Sequence, residues 1–81
     1  MEKWYIYIIE TLSNRLYTGI TKDLDARLEK HKSGKGAKFF RTDPPIKIVY
    51  SESFDSRSEA LKREYAIKQL TRIQKLKLIK C

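Results

Sequence analysis

The sequence predicts an α+β domain: a three-stranded, mainly antiparallel sheet flanked by helices, in the order ββαβαα. Three observations carry this. Two aromatic and β-branched runs, Trp4 to Glu10 and Arg15 to Ile20, flank turn chemistry at Leu12-Ser13-Asn14 and read as a hairpin. Helix-capping residues precede two later stretches, with a β-branched run between them. No βαβ array is long enough to build a doubly wound parallel sheet.

In the first strand Tyr5, Tyr7 and Ile9 point to one face, and Trp4, Ile6 and Ile8 to the other. Both faces are apolar or aromatic, which places this strand in the middle of the sheet. A turn centred on Leu12 would set Tyr7 opposite Tyr17 and put both phenols on one face; a one-residue slip would separate them. Thr21 and Asp23 can each cap a helix from Leu24 to about Lys32, closed by Ser33-Gly34 with glycine suited to the left-handed region. Arg27 lies three residues beyond Leu24 and His31 three beyond Leu28, so both share the stripe that faces the sheet.

Ser33 to Pro45 is expected as a basic loop, flexible at Gly34 and Gly36 and stiff at Asp43-Pro44-Pro45. Phe39 and Phe40, between Lys38 and Arg41, suit base stacking beside phosphate contacts, although at least one is expected to plug the loop into the core. Ile46 to Ser53 reads as the third strand, with Ile46, Ile48 and Tyr50 on one face. Asp55 or Ser56 caps a helix from about Arg57 to Leu70, and Ser56-x-x-Glu59 is a capping-box pattern. Thr71 interrupts it. A last helix from Arg72 to Ile79 carries Ile73, Leu76 and Ile79 on one side, with Lys75, Lys77 and Lys80 on the other.

The chain's 81 residues allow one domain, residues 1–81, with a small core. The formal charge of +8 predicts attraction to polyanions, nucleic acid before anionic membrane. No apolar run approaches the length of a membrane span, and Trp4-Tyr5-Ile6-Tyr7-Ile8-Ile9 suits a strand better than a leader. A single cysteine, Cys81, cannot form an internal disulfide or a zinc cluster, and fits a reducing cytoplasm. P-loop, dinucleotide-binding, serine-elbow and HExxH patterns are absent, and Gly34-Lys35-Gly36 is too brief to be a phosphate fingerprint.

Several residues admit both a chemical and a structural role. Arg27 cannot shed its charge, so facing the sheet it needs an anion, and a phosphate is one candidate. His31, the only histidine, can be structural or catalytic, and Tyr5, Tyr7, Tyr17 and Tyr50 can all be core aromatics. Glu64 projects between Ala60 and Leu61 around its helix, towards the sheet, but Lys68 at i+4 is an ordinary ion-pair partner for it. A lone carboxylate holds Mg²⁺ only with water and phosphate oxygens completing the shell.

Together these positions resemble the GIY-YIG nuclease family. Tyr5-Ile6-Tyr7 stands where that family has Gly-Ile-Tyr, and Tyr17-Thr18-Gly19 stands ten residues on where it has Tyr-Ile-Gly. Arg27 falls on the family's catalytic arginine, His31 on a position often filled by His or Tyr, and Glu64 on its metal-binding glutamate. The resemblance runs from about residue 4 to 75 and is strongest to small stand-alone bacterial members, through Leu16 to Thr21, Ser33 to Lys38 and Lys68 to Thr71. Tyr5 replaces the glycine, Ile20 replaces a lysine that Lys22 would have to supply, and Gln69 and Gln74 are loose candidates for a late asparagine.

The resemblance implies DNA phosphodiester hydrolysis with one divalent cation, Mg²⁺ or Mn²⁺, and repair or recombination as its setting. Tyr17 would act on the attacking water as general base, helped by Tyr7 or His31; Arg27 would hold the scissile phosphate; Glu64 would bind the metal. A tyrosine with a pKa of about 10 needs nearby positive charge for that work. Lys22, Lys35, Lys38, Arg41 and Lys68 are the candidate nucleic-acid contacts. The alternatives are a catalytically weak nucleic-acid-binding module on the same fold, and a protein-interaction module that meets an acidic partner. RNA remains open as a substrate, as does recruitment by a protein partner.

Overall fold

Strand β1 (Trp4–Thr11) is the middle of a three-stranded antiparallel sheet in the order β2-β1-β3, with β2 at Leu16–Thr21 and β3 at Pro45–Phe54. The structure, a computed structural model, describes residues 3–80; Met1, Glu2 and the Cys81 thiol lie outside the described residues. Ile6, Tyr7, Ile8 and Ile9 are all buried, as expected of a strand apolar on both faces. Four helices follow the hairpin: α1 (Leu24–Lys32), α2 (Phe39–Thr42), α3 (Arg57–Lys68) and α4 (Arg72–Lys80).

The sheet separates two apolar clusters. Ile6 and Ile8 pack with Ala60 and Ile67 of α3 and with Leu78 and Ile79 of α4. On the other face Tyr7 and Ile9 pack with Phe40, Leu24, Leu28 and Phe39. Caps fix where the helices begin. The Asp23 carboxylate accepts from the Ala26 N–H, and the Ser56 hydroxyl accepts from the Glu59 N–H. At α4 the box is reciprocal: Thr71 N–H donates to Gln74 Oε1 at 2.9 Å and Gln74 N–H to Thr71 Oγ1 at 3.2 Å. Gln74 is thereby committed to a cap.

Four expectations are corrected. The hairpin pairs Tyr7 with Gly19 and Ile9 with Tyr17, so the turn centres on Ser13 and Asn14 takes φ 68°. This is a two-residue offset, which preserves face parity, and Tyr7 and Tyr17 stay on one face. In β3, Tyr50 lies opposite Ile8 but Ile48 lies opposite Ile9, so Val49 is an extra residue. That bulge sends Tyr50 into the cluster under α3 and Ile48 into the opposite one, and a second irregularity leaves Ile46 44% exposed. The basic loop contains the single turn α2, which Phe40 anchors in the core. Helix α4 docks through Lys75, Leu78 and Ile79 rather than through Ile73, which is 68% exposed.

A buried carboxylate ties the hairpin turn to the entrance of β3. Asp43 accepts from Thr11 Oγ1 at 2.7 Å, from Ser13 Oγ at 2.6 Å and from the Ser13 N–H at 3.0 Å. The Ser13 hydroxyl bond is the largest influence holding the Asp43 carboxyl below its ordinary range, although burial opposes it. On the other side of the sheet Glu52 of β3 takes a bidentate grip from Arg63 of α3, with contacts of 3.0 to 3.2 Å, and also accepts from the Tyr50 hydroxyl.

Candidate active site

Tyr7 is 2% exposed, and its phenol lies directly over Gly19 of the edge strand β2. A Cβ at position 19 would stand 2.5 Å from Tyr7 Oη and 2.7 Å from Cζ. Glycine is therefore required here by the ring that crosses it, since the backbone is ordinary.

His31, also 2% exposed, meets this phenol from α1: Nε2 lies 3.1 Å from Tyr7 Oη. The Ala37 N–H donates to His31 Nδ1 at 3.3 Å. With Nδ1 an acceptor, the neutral ring carries its proton on Nε2 and donates to the Tyr7 oxygen. Burial first, then the charges of Arg27 and Lys30, lower the histidine pKa and keep the ring neutral.

The approach of Ala37 depends on what ends α1. Gly34 takes φ 82°, with its N–H bonded to the His31 carbonyl at 3.2 Å and the Lys35 N–H to the Lys30 carbonyl at 3.2 Å. This is the paired-bond glycine stop of a helix. It turns the chain back across His31, where Gly36 passes so close that any Cβ would overlap the imidazole. Gly36 was not singled out for this role from the sequence. Its signal was a second glycine just beyond the helix stop, with no turn of its own to explain it.

Tyr17 is half-buried in an aromatic surround. Ring centroids lie 6.4 Å away for Tyr7, 5.7 Å for His31, 5.5 Å for Phe39 and 4.7 Å for Phe40. On α1 the covered residues are Leu24, Arg27, Leu28 and His31, the stripe that the spacing predicts. Glu64, with its side chain 18% exposed, lies on the α3 stripe between Ala60 and Ile67, both fully buried. The ordinary partner is present too, with Lys68 Nζ 3.4 Å from Glu64 Oε2.

The charges meet at one phenol. Burial first and the neighbouring Tyr17 next push the Tyr7 pKa up to about 12; Arg27 pulls it down and Glu64 pushes it up. Tyr7, Tyr17 and His31 thus gather beside Gly19 of the edge strand β2, with Arg27 on the covered stripe of α1, while Glu64 lies on α3, which packs against the opposite face of the sheet. Arg27 also opens onto a groove of about 330 Å³ shared with Trp4, Lys22 and Lys30. The Trp4 ring has Lys22 of this groove, Nζ at 5.2 Å, and Arg57 from the start of α3, guanidinium at 5.7 Å, over its centroid. Lys35, Lys38 and Arg41 are exposed on the segment that passes His31 and Phe40, whereas Lys68 is engaged by Glu64.

The family description "GIY-YIG catalytic domain" matches residues 3–77 of this chain. The chain belongs to the GIY-YIG family. It is 52% identical over 79 residues to a UPF0213 protein of Staphylococcus saprophyticus, covering 98% of this chain and 96% of that one. A UPF0213 protein of Staphylococcus aureus is 49% identical over 80 residues, covering 99% and 98%. Two solution NMR structures are similar. The UPF0213 protein of Bacillus halodurans has a TM-score of 0.62 at 42% identity, with 96% of this chain and 83% of that chain covered. A protein of E. faecalis has a TM-score of 0.66 at 40% identity, with 99% and 88% covered.

GIY-YIG membership is membership of a nuclease family, which generally uses divalent metal and acts on nucleic acid. In GIY-YIG terms the first-motif tyrosine is Tyr7, and the second-motif glycine, Gly19, is the residue its ring crosses. Among the described residues no three His, Cys, Asp or Glu side chains group to cage an ion. A lone carboxylate such as Glu64 would hold a hard divalent cation only with water and phosphate oxygens completing its shell. No helix among the described residues is long and apolar enough to cross a membrane.

Proposed function

We propose that this protein hydrolyses DNA phosphodiesters with one divalent cation held at Glu64. The observation that carries the reading is the cluster at the Tyr7 phenol: His31 bonds to it at 3.1 Å, and the Tyr17 ring lies 6.4 Å from the Tyr7 ring and 5.7 Å from that of His31. An attacking water reaches Tyr17 before Tyr7, because Tyr17 is half-buried and Tyr7 fully so. The Tyr17 phenolate takes a proton from that water as the water oxygen adds to phosphorus; the bond to the leaving oxygen breaks, and that oxygen departs as an anion and is protonated from solvent. Arg27 holds the phosphate and meets the charge growing on its oxygens. Mg²⁺ or Mn²⁺, when bound, polarises the phosphate and stabilises the leaving oxygen.

Of the two helpers that the sequence left open for Tyr17, the hydrogen-bond pattern favours Tyr7. His31 has its Nδ1 filled by the Ala37 N–H and its Nε2 proton directed at Tyr7, so it positions the phenol rather than accepting a proton. Burial first, then the neighbouring Tyr17, push the Tyr7 pKa up to about 12, so this phenol stays protonated and helps as a hydrogen-bond donor rather than as a second base. The second reading, a nucleic-acid-binding module with little turnover, draws on the Lys68 ammonium, which competes with a cation for the Glu64 carboxylate.

Supercoiled, linear, branched and single-stranded DNA, incubated with and without Mg²⁺ or Mn²⁺, tests both readings. Cation-dependent nicking by the wild-type chain, lost in Tyr17→Phe and Arg27→Ala, is expected. Steep salt-dependent binding with no nicking above these variants would select the binding module instead.

A further inference from the structure

We infer that a cleft at the start of β2, floored by Phe39 and rimmed by Arg15, Arg72 and Lys75, is a second nucleic-acid subsite that holds backbone phosphates of the strand leaving the candidate active site. The cleft has a volume of about 260 Å³, and Leu16 completes its lining. No carboxylate lines it. Three cations over an apolar floor complement a sugar-phosphate chain, whose charge meets the rim while its sugar or base covers the ring. The inference rests on the nucleic-acid reading of the site.

Two further observations support it. Lys75 lies on the docked stripe of α4 with Leu78 and Ile79, where an aliphatic residue would pack better. Its place there is explained if its ammonium serves the cleft. The cleft is also continuous with the candidate site through one ring. Phe39 lies 5.5 Å from the Tyr17 ring on one side and 5.8 Å from the Arg15 guanidinium on the other.

The geometry sets a length. Groove residues Trp4, Thr21 and Lys22 lie at the end of β2 and cleft residues Arg15 and Leu16 at its start. Five residue steps of strand separate Leu16 from Thr21, a span of about 17 Å. The two cation-and-aromatic hollows thus flank Tyr17 and Gly19. At a rise of about 3.4 Å per step of duplex, a strand touching both takes about five steps, or about six nucleotides.

The test is the double variant Arg72→Ala/Lys75→Ala in the full chain. Both positions are helical, where alanine is well tolerated, and circular dichroism checks the fold. Arg15 is left intact because its guanidinium stands 3.8 Å from Asp43 and touches the hairpin anchor. Fluorescence anisotropy against labelled oligonucleotides of increasing length, across a salt series, should show weaker binding by the variant. For long oligonucleotides its log-log salt slope should be shallower by about 1.4 to 1.8, two phosphates' worth. Oligonucleotides shorter than about six nucleotides should bind both proteins alike.

Hydrolysis of bis(p-nitrophenyl) phosphate, too small to reach the cleft, separates this inference from the hydrolysis reading. A flattened salt slope with no hydrolysis by either protein keeps the subsite and rejects hydrolysis. Equal hydrolysis with an unchanged slope keeps hydrolysis and overturns the subsite. Tighter wild-type binding to polyglutamate than to an oligonucleotide of equal charge also overturns it, assigning the cleft to an acidic protein.

Discussion

Gly19→Ala isolates the closest approach in the candidate site. The added Cβ would stand 2.5 Å from Tyr7 Oη, where ordinary contact begins near 3.4 Å, so the ring must retreat by 3.4 − 2.5 = 0.9 Å. Such a shift breaks the 3.1 Å contact with His31 Nε2, leaving two buried polar groups poorly paired. Overpacking costs about 1–3 kcal/mol and a lost buried hydrogen bond about 1–3 kcal/mol. Against this, alanine is favoured over glycine in a strand by about 0.5–1 kcal/mol, and Gly19 needs no left-handed backbone. The net expectation is destabilisation of about 1–5 kcal/mol, a fall in Tm of at least about 4 °C for a domain of this size. Thermal and urea unfolding followed by circular dichroism measure it. In the Tyr7→Phe background the same substitution should cost less, because the nearest atom is gone. A Gly19→Ala protein as stable as wild type, or equal costs in both backgrounds, would refute the steric account of this glycine.

Three further outcomes are expected. Glu64→Gln should abolish divalent-dependent nicking and leave DNA affinity equal or slightly higher, since it removes a negative charge facing the phosphates; nicking at the wild-type rate by folded variant rejects the metal role. Tyr17→Phe should abolish divalent-dependent nicking while circular dichroism shows an intact fold; nicking at the wild-type rate by the folded variant rejects a phenolic base at this position. Asp43 is held below its ordinary range in the folded chain, so its contribution is complete above the unfolded value of about 4 and is lost as pH falls towards the lowered folded value. Asp43→Asn should therefore lower Tm at pH 7 and flatten the loss of Tm between pH 5 and 3, as read by thermal scans.

Local chemistry determined much of this protein in advance. Strand β1 reads as central because Trp4 to Ile9 carries no polar face, and burying both faces needs a neighbour on each side and helices above and below. Asp23, Ser56 and Gly34 mark helix ends through bonds to residues at most a few positions away, so their roles follow from sequence alone. The stripe Leu24-Arg27-Leu28-His31 follows from helical period, and the shared face of Tyr7 and Tyr17 from strand parity, which survived a two-residue error in register. Tertiary structure alone decided the rest. Register depends on where distant strands pair, and the extra residue Val49 in β3 redirected Tyr50 for reasons no alternation pattern records. The tautomer of His31 is set by the Ala37 N–H, brought there by a chain reversal and a glycine that only a neighbouring ring makes necessary. Asp43, which reads as part of a stiff loop, becomes a buried anchor because it meets Thr11 and Ser13 from about 30 residues away, and pairings at that separation exist only once the chain has closed on itself.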